Sequence, residues 1–132
     1  MSAASDYLEN KLLDHTLATT AYTAPSTAYL GLFTGSASAN LEANTLTNEV
    51  TGGSYARETI SFGVASGGTA TNDATVTFTT ATADWGTITH VAIMDAASSG
   101  NVLFYGAVTE AKEILNGDTF QVSAGNLSIT LT

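Results

Sequence analysis

The sequence predicts a mainly β fold: a single antiparallel β-sandwich or jelly-roll-like domain preceded by a short N-terminal helix. Three observations carry this expectation. Apolar residues alternate with hydroxyl residues in short runs, most cleanly where Thr75 and Thr77 separate Ala74, Val76 and Phe78. That is the period of a half-buried strand. The runs are divided by clusters of glycine, serine and asparagine at the spacing of sandwich strands. Helical spacing of apolar residues is confined to the start of the chain.

There Tyr7, Leu8, Leu12, Leu13 and Leu17 recur on one broad helical face. Asp6 followed by Glu9 fits the Asp-x-x-Glu form of a capping box, which places the N-cap at Asp6. The helix should end between Ala18 and Ala21, and Pro25 bars its continuation. Residues 27–34 are apolar on both faces and read as a central buried strand. Residues 35–53 show no periodicity; connections beyond about 12–15 residues are usually functional or mobile. Strands follow over residues 55–62 and around Val76. The longest opens at Trp85-Gly86 and runs through Ile88, Val91, Ile93 and Met94 to Asp95. After a turn at residues 96–101 comes a second strand apolar on both faces, residues 102–108, the expected hairpin partner of the Ile93 segment. Asn116-Gly117-Asp118 signals a tight turn. Phe120 and Val122, then Leu127, Ile129 and Leu131, supply the last strands, with the final three assigned to the core. The chain thus divides into an N-terminal helix and arm, residues 1–25, and a β-sandwich domain, residues 26–132, with a long 35–53 loop.

The 132 residues suffice for one domain with a modest core. The net charge is −9, with Lys11, Arg57 and Lys112 the only cations. Nucleic-acid binding needs a basic stripe that displaces counterions from phosphates, so it is excluded, and docking on anionic lipid with it. No apolar run approaches the ~20 residues of a membrane span, and residues 1–20 carry no signal-peptide pattern. Charged residues make up 11% of the chain, against ~25% in ordinary soluble domains. The surface is therefore built from hydroxyls, amides and backbone, which desolvate more easily than charges and suit protein–protein contact. The chain has no cysteine, which rules out disulfides, thiolate zinc sites and cysteine nucleophiles.

The search for catalytic or cofactor chemistry assigns no residue. His15 falls on the polar side of the helix, and His90 lies mid-strand as a hydrogen-bonded strand residue. Asp73, Asp84, Asp95 and Asp118 are spread over loops and strand ends without a calcium-loop pattern. No Gly-x-Ser-x-Gly elbow, Walker loop or dinucleotide fingerprint is present. No metal and no cofactor is expected. Trp85, Tyr55 and Tyr105 are the rings that could stack on a sugar.

Several blocks carry a resemblance. The run from Ser5-Asp6-Tyr7-Leu8-Glu9-Asn10-Lys11 to Leu12-Leu13-Asp14-His15 resembles the opening of small tailed-bacteriophage virion structural proteins. Tyr29-Leu30-Gly31-Leu32-Phe33-Thr34, Gly52-Gly53-Ser54-Tyr55-Ala56-Arg57, Trp85-Gly86-Thr87-Ile88-Thr89-His90 and Gly117-Asp118-Thr119-Phe120 look like that group's later blocks. Members are often labelled tail-fibre proteins, and some look like capsid decoration, or cement, proteins. The resemblance implies a non-enzymatic virion component. A long fibre usually needs repeats or heptads, and the chain has neither. The expectation is therefore a cement protein on the capsid exterior, present in host cytoplasm during assembly, bridging major capsid protein subunits as a homo-oligomer, with a trimer favoured. Tyr7, Leu8, Leu12, Tyr22 and Pro25 of the arm, and Leu41 and Leu46 of the 35–53 loop, are the expected partner contacts. The alternative is a tail-fibre or baseplate host-recognition module binding surface glycan through Trp85, Tyr55 and Tyr105.

Overall fold

The computed structural model describes residues 2–131. Strand β1 (Ala3–Ala4) leads into helix α1 (Asp6–Leu17). Then come β2 (Ala28–Thr34), α2 (Ser38–Glu42), β3 (Glu58–Ile60), β4 (Thr69–Thr71), β5 (Val76–Thr77), β6 (Gly86–Met94), β7 (Val102–Ile114), β8 (Gln121–Val122) and β9 (Ser128–Thr130). The mainly β, antiparallel expectation with one N-terminal helix holds. The main sheet has five strands in the order β1-β7-β6-β2-β3, every neighbouring pair antiparallel. β4 with β9, and β5 with β8, form two further two-stranded sheets.

The strands that read as apolar on both faces form the centre of the main sheet. Leu30 and Leu32 of β2, with Val91 and Ile93 of β6 and Leu103 of β7, point into the larger core, where they meet Val76, Phe78 and Phe120 from the small-sheet side. Phe33, Ala92, Met94 and Val102 point the other way and form a second cluster with Ala37 and Leu41. Ile88 and Val91 share the first face although three residues apart, because the β6–β7 register is broken between Ile88 and His90. The β6–β7 hairpin is as expected, with Ile93 opposite Phe104. The turn at Asn116-Gly117-Asp118 closes through an Asp118 N–H to Leu115 carbonyl bond of 2.9 Å, with Gly117 at φ 94°.

Four expectations need correction. The N-cap of α1 is Ser5, not Asp6: the Ser5 hydroxyl oxygen accepts from the Leu8 N–H at 3.3 Å. Ser5 is fully buried, donates its hydroxyl to the Val102 carbonyl, and its own N–H reaches the Leu103 carbonyl at 3.0 Å. With Ala3 and Ala4 paired to Tyr105 and Phe104, the first turn of α1 is stitched to β7. The second half of α1, residues 13–17, is exposed, whereas in the link to β2 Tyr22 and Pro25 are half-buried. Second, the 35–53 stretch is not structureless. Ala37 and Leu41, one helical turn apart, are fully buried, and Val50 joins the larger core with its N–H on the Leu32 carbonyl at 3.0 Å. Third, the expected 55–62 strand contracts to β3. Fourth, Leu131 is 54% exposed, while Leu127 and Ile129 only pack against the core edge. Their strand β9 pairs with β4 in a two-stranded ribbon, so it is half-covered at best. Thr132, also placed in the last strand, lies outside the described residues, as does Met1 of the arm.

Candidate interaction surface

Helix α1 presents opposite characters on its two sides. Leu8 is 3% exposed and belongs to the core; Tyr7 and Leu12 are half-buried against it. Leu13 and Leu17 sit one turn apart on the far side, 54% and 78% exposed. Lys11 Nζ lies 5.7 Å from the centre of the Tyr7 ring, a cation–π contact. The link after the helix folds back: the Tyr22 N–H donates to His15 Nδ1 at 3.1 Å, and Tyr22 packs against the core edge. Burial, then the charges of Tyr7 and Asp95, push the Tyr22 hydroxyl above its ordinary value. Pro25 is half-buried.

Polar clasps fasten the 35–53 segment to the sheet. Arg57, 8% exposed, forms a two-pronged ion pair with Glu49, Nε to Oε2 and Nη2 to Oε1, each 2.7 Å. Its Nη1 donates to the carbonyls of Ala96 and Ser99, both at 2.8 Å, so one guanidinium also holds the β6–β7 turn. The Tyr55 hydroxyl donates to Glu49 Oε2 at 2.8 Å and accepts from the Leu32 N–H at 3.0 Å. Burial is the main force raising the Tyr55 hydroxyl pKa. A second clasp runs through His90. Thr89 Oγ1 donates to the Gly35 carbonyl at 2.7 Å, so it accepts from His90 Nδ1 at 2.8 Å. His90 Nε2 then accepts from the Ser38 hydroxyl at 2.8 Å. Burial lowers the His90 pKa and favours this neutral ring. A serine–histidine contact of this length can activate a nucleophile. Here the imidazole is oriented by a hydroxyl, and every member of the chain ties residues 35–38 to β6.

The expected partner and glycan contacts therefore separate. Leu8 and Leu41 are core side chains and cannot meet a partner in this fold; their long side chains point into the two apolar clusters. Tyr7, Leu12, Tyr22, Pro25 and Leu46 keep part of their surface. Trp85 is 6% exposed, donates Nε1–H to the Gly53 carbonyl at 2.9 Å, and stands edge-on to Tyr55 and Phe78. Its ring faces are covered by protein, so it offers no sugar platform. Tyr55 is oriented by the Glu49 clasp, and Tyr105 packs on the second cluster with its hydroxyl on Glu42. The three rings do not form one exposed patch.

The structure joins the two segments singled out from the sequence in another way. Asp6 and Glu9 of α1 and Glu42 of α2 bring carboxylate oxygens within 4.8 Å of one another. Burial, a hydrogen bond with Asp6 and the charges of Asp6 and Glu9 raise the Glu42 pKa. These are the hard oxygen donors a divalent cation would use. By contrast, Asp84, Asp95 and Asp118 accept backbone N–H bonds at turns, and Asp73 accepts from Ser61. The Arg57 clasp was missed in the sequence. The available signal was one of only three cations placed eight residues after an acid in a chain poor in charge.

Fold and surface define a β-sheet structural module whose polar side chains fasten loops and whose helix α1 exposes two leucines one turn apart, Leu13 and Leu17. The chain belongs to the podophage GP4 fiber I protein gp80 family, whose family model matches residues 3–130. It is thus a phage virion structural protein, as the sequence blocks implied. No curated protein matches the chain.

Proposed function

We propose that this chain is a structural component of the virion's tail fibre, working through protein–protein contact rather than catalysis. The family match along residues 3–130 carries the reading. The chemistry of the surface supports it: Leu13 and Leu17 face solvent on the side of α1 away from the core. With the half-buried Tyr7, Leu12, Tyr22, Pro25 and Leu46 they form the contact set for a neighbouring virion protein. The covered Trp85 ring weighs against glycan recognition through the aromatic trio. Capsid decoration, as a bridge between major capsid protein subunits, is the second reading. What favours it is the absence of repeats or heptads in a chain this short.

Immunogold labelling of purified virions separates the two. Label on the fibres, and recovery of the protein in tail-fibre fractions, is the expected result; stoichiometric label over the heads moves the assignment to the capsid. The surface has its own test. Leu17→Asp should leave stability within about 0.5 kcal/mol yet reduce the copies incorporated per particle. Normal incorporation would remove α1 from the contact set.

A further inference from the structure

Strand β7 spans 13 residues, against about 5–6 for an ordinary strand. Its second half is unusual. In the β6–β7 register Ile88 faces Lys112 and His90 faces Ala107, so Thr89 alone stands opposite Val108, Thr109, Glu110 and Ala111. On the other edge β1 covers only Phe104 and Tyr105. From Gly106 onward, β7 has no strand neighbour on the side away from β6 among the described residues. Residues 109–113 are all exposed, on both faces of the strand. A long open edge is a template for another strand.

Charge indicates which strand fits. Of the three cations, Arg57 is bound to Glu49 and Lys11 lies over Tyr7. Lys112 makes no ion pair among the described residues, and neither does Glu110 or Glu113. The order Glu110-Ala111-Lys112 is self-complementary for antiparallel pairing: about a two-fold axis at Ala111, each Glu110 falls directly opposite the other copy's Lys112. Edge charges more often guard against pairing, but a guard works by presenting like charges to itself, and this order presents opposite ones.

We infer that the outer edge of β7, residues 108–114, is a two-fold interface between copies of this chain. Two Glu110–Lys112 pairs flank the axis, and backbone hydrogen bonds continue the main sheet across it. The same operation sets Val108 opposite Ile114 of the second copy and Thr109 opposite its Glu113. Beside the edge lies a groove of about 610 Å³ of mixed lining, with Val108, Val122 and Ile129 beside Glu110, Lys112 and Gln121, so the incoming strand meets apolar and polar surface together. The contact is isologous and closes at two copies. It replaces the trimer expected from the sequence, and it holds whether the module sits on a fibre or on a capsid.

The test is sedimentation equilibrium of the whole chain. Wild type should form a dimer. Glu110→Lys alone and Lys112→Glu alone each set like charges face to face and should raise the dissociation constant about ten-fold or more. An equimolar mixture of the two variants restores both opposite-charge pairs and should give a 1:1 heterodimer near wild-type strength. Circular dichroism of each variant should match wild type, because both side chains are exposed. A wild-type chain that stays monomeric to about 1 mM, a trimer, a dimer indifferent to both substitutions, or a mixture that fails to recover association would each overturn the assignment.

Discussion

Replacing Arg57 with alanine should be among the most damaging single changes on the polar side of this fold. The side chain makes four bonds: two to the Glu49 carboxylate at 2.7 Å and one each to the Ala96 and Ser99 carbonyls at 2.8 Å. The pair is not exposed, with side-chain accessibilities of 2% for Arg57 and 15% for Glu49, so solvent screening does little to weaken it. Its removal strands a carboxylate with only Tyr55 as donor and leaves two turn carbonyls without their guanidinium. Breaking a buried pair from one side costs about 3–5 kcal/mol. A domain of this size has about 5–15 kcal/mol in total, so the melting temperature should fall by about 10–20 °C. The assay is thermal and urea unfolding followed by circular dichroism. The Arg57→Ala/Glu49→Ala double variant should lose less than the sum of the single changes by about 1–3 kcal/mol. A loss under about 1 kcal/mol for Arg57→Ala, or strictly additive changes, would refute the clasp as a stabilising unit.

The remaining expectations concern Glu42 and Trp85. The Glu42 pKa is raised in the fold, so the folded state holds a proton more tightly than the unfolded chain does. Its contribution is favourable at low pH and is lost as pH rises through the folded value. Glu42→Gln removes the charge facing Asp6 and Glu9, so unfolding by urea should show it more stable than wild type at pH 7. The gain should shrink as pH falls through the raised folded value and vanish below the ordinary glutamate value of about 4.3, where the folded and unfolded side chains both carry the proton. Trp85→Ala should cost about 3–5 kcal/mol by opening a cavity beside Tyr55 and Phe78; a small loss in unfolding free energy would mean that the ring is free enough to serve another surface. Gly53→Ala should damage the same contact from the other side, since a Cβ there would sit 2.8 Å from Trp85 Nε1 on a backbone at φ +60°.

The parts of the fold legible in the sequence were those set by side-chain period. β2, β6 and the first half of β7 bury both faces, and their unbroken apolar runs said so. The Asn116-Gly117-Asp118 turn was legible because its residue types are demanded by backbone geometry. Helix α2 was not: five residues are too few for a 3.6-residue period to repeat, and only Ala37 and Leu41 mark its buried side. β1 was hidden for a related reason, because two alanines carry no alternation and are fixed by pairing with Tyr105 and Phe104. The assignment of Leu131 to the core followed a correct period to a wrong depth; alternation says which residues share a face, not whether anything covers it. The candidate surface was legible only in part. The helical spacing of Leu8, Leu12, Leu13 and Leu17 was visible, but which leucines point inward depends on how Ser5 docks α1 on β7, a contact set by residues far along the chain.

That docking also governs the order of events during synthesis. The Ser5 hydroxyl and the Val102 carbonyl are 97 residues apart, and β1 finds its place only against β7. Helix α1 is made before β7, and its Ser5 anchor cannot form until Val102 and Leu103 have been made. Contacts of such long sequence separation make folding slow. Over that interval Leu8 and Leu12 lack the core that covers them in the finished fold.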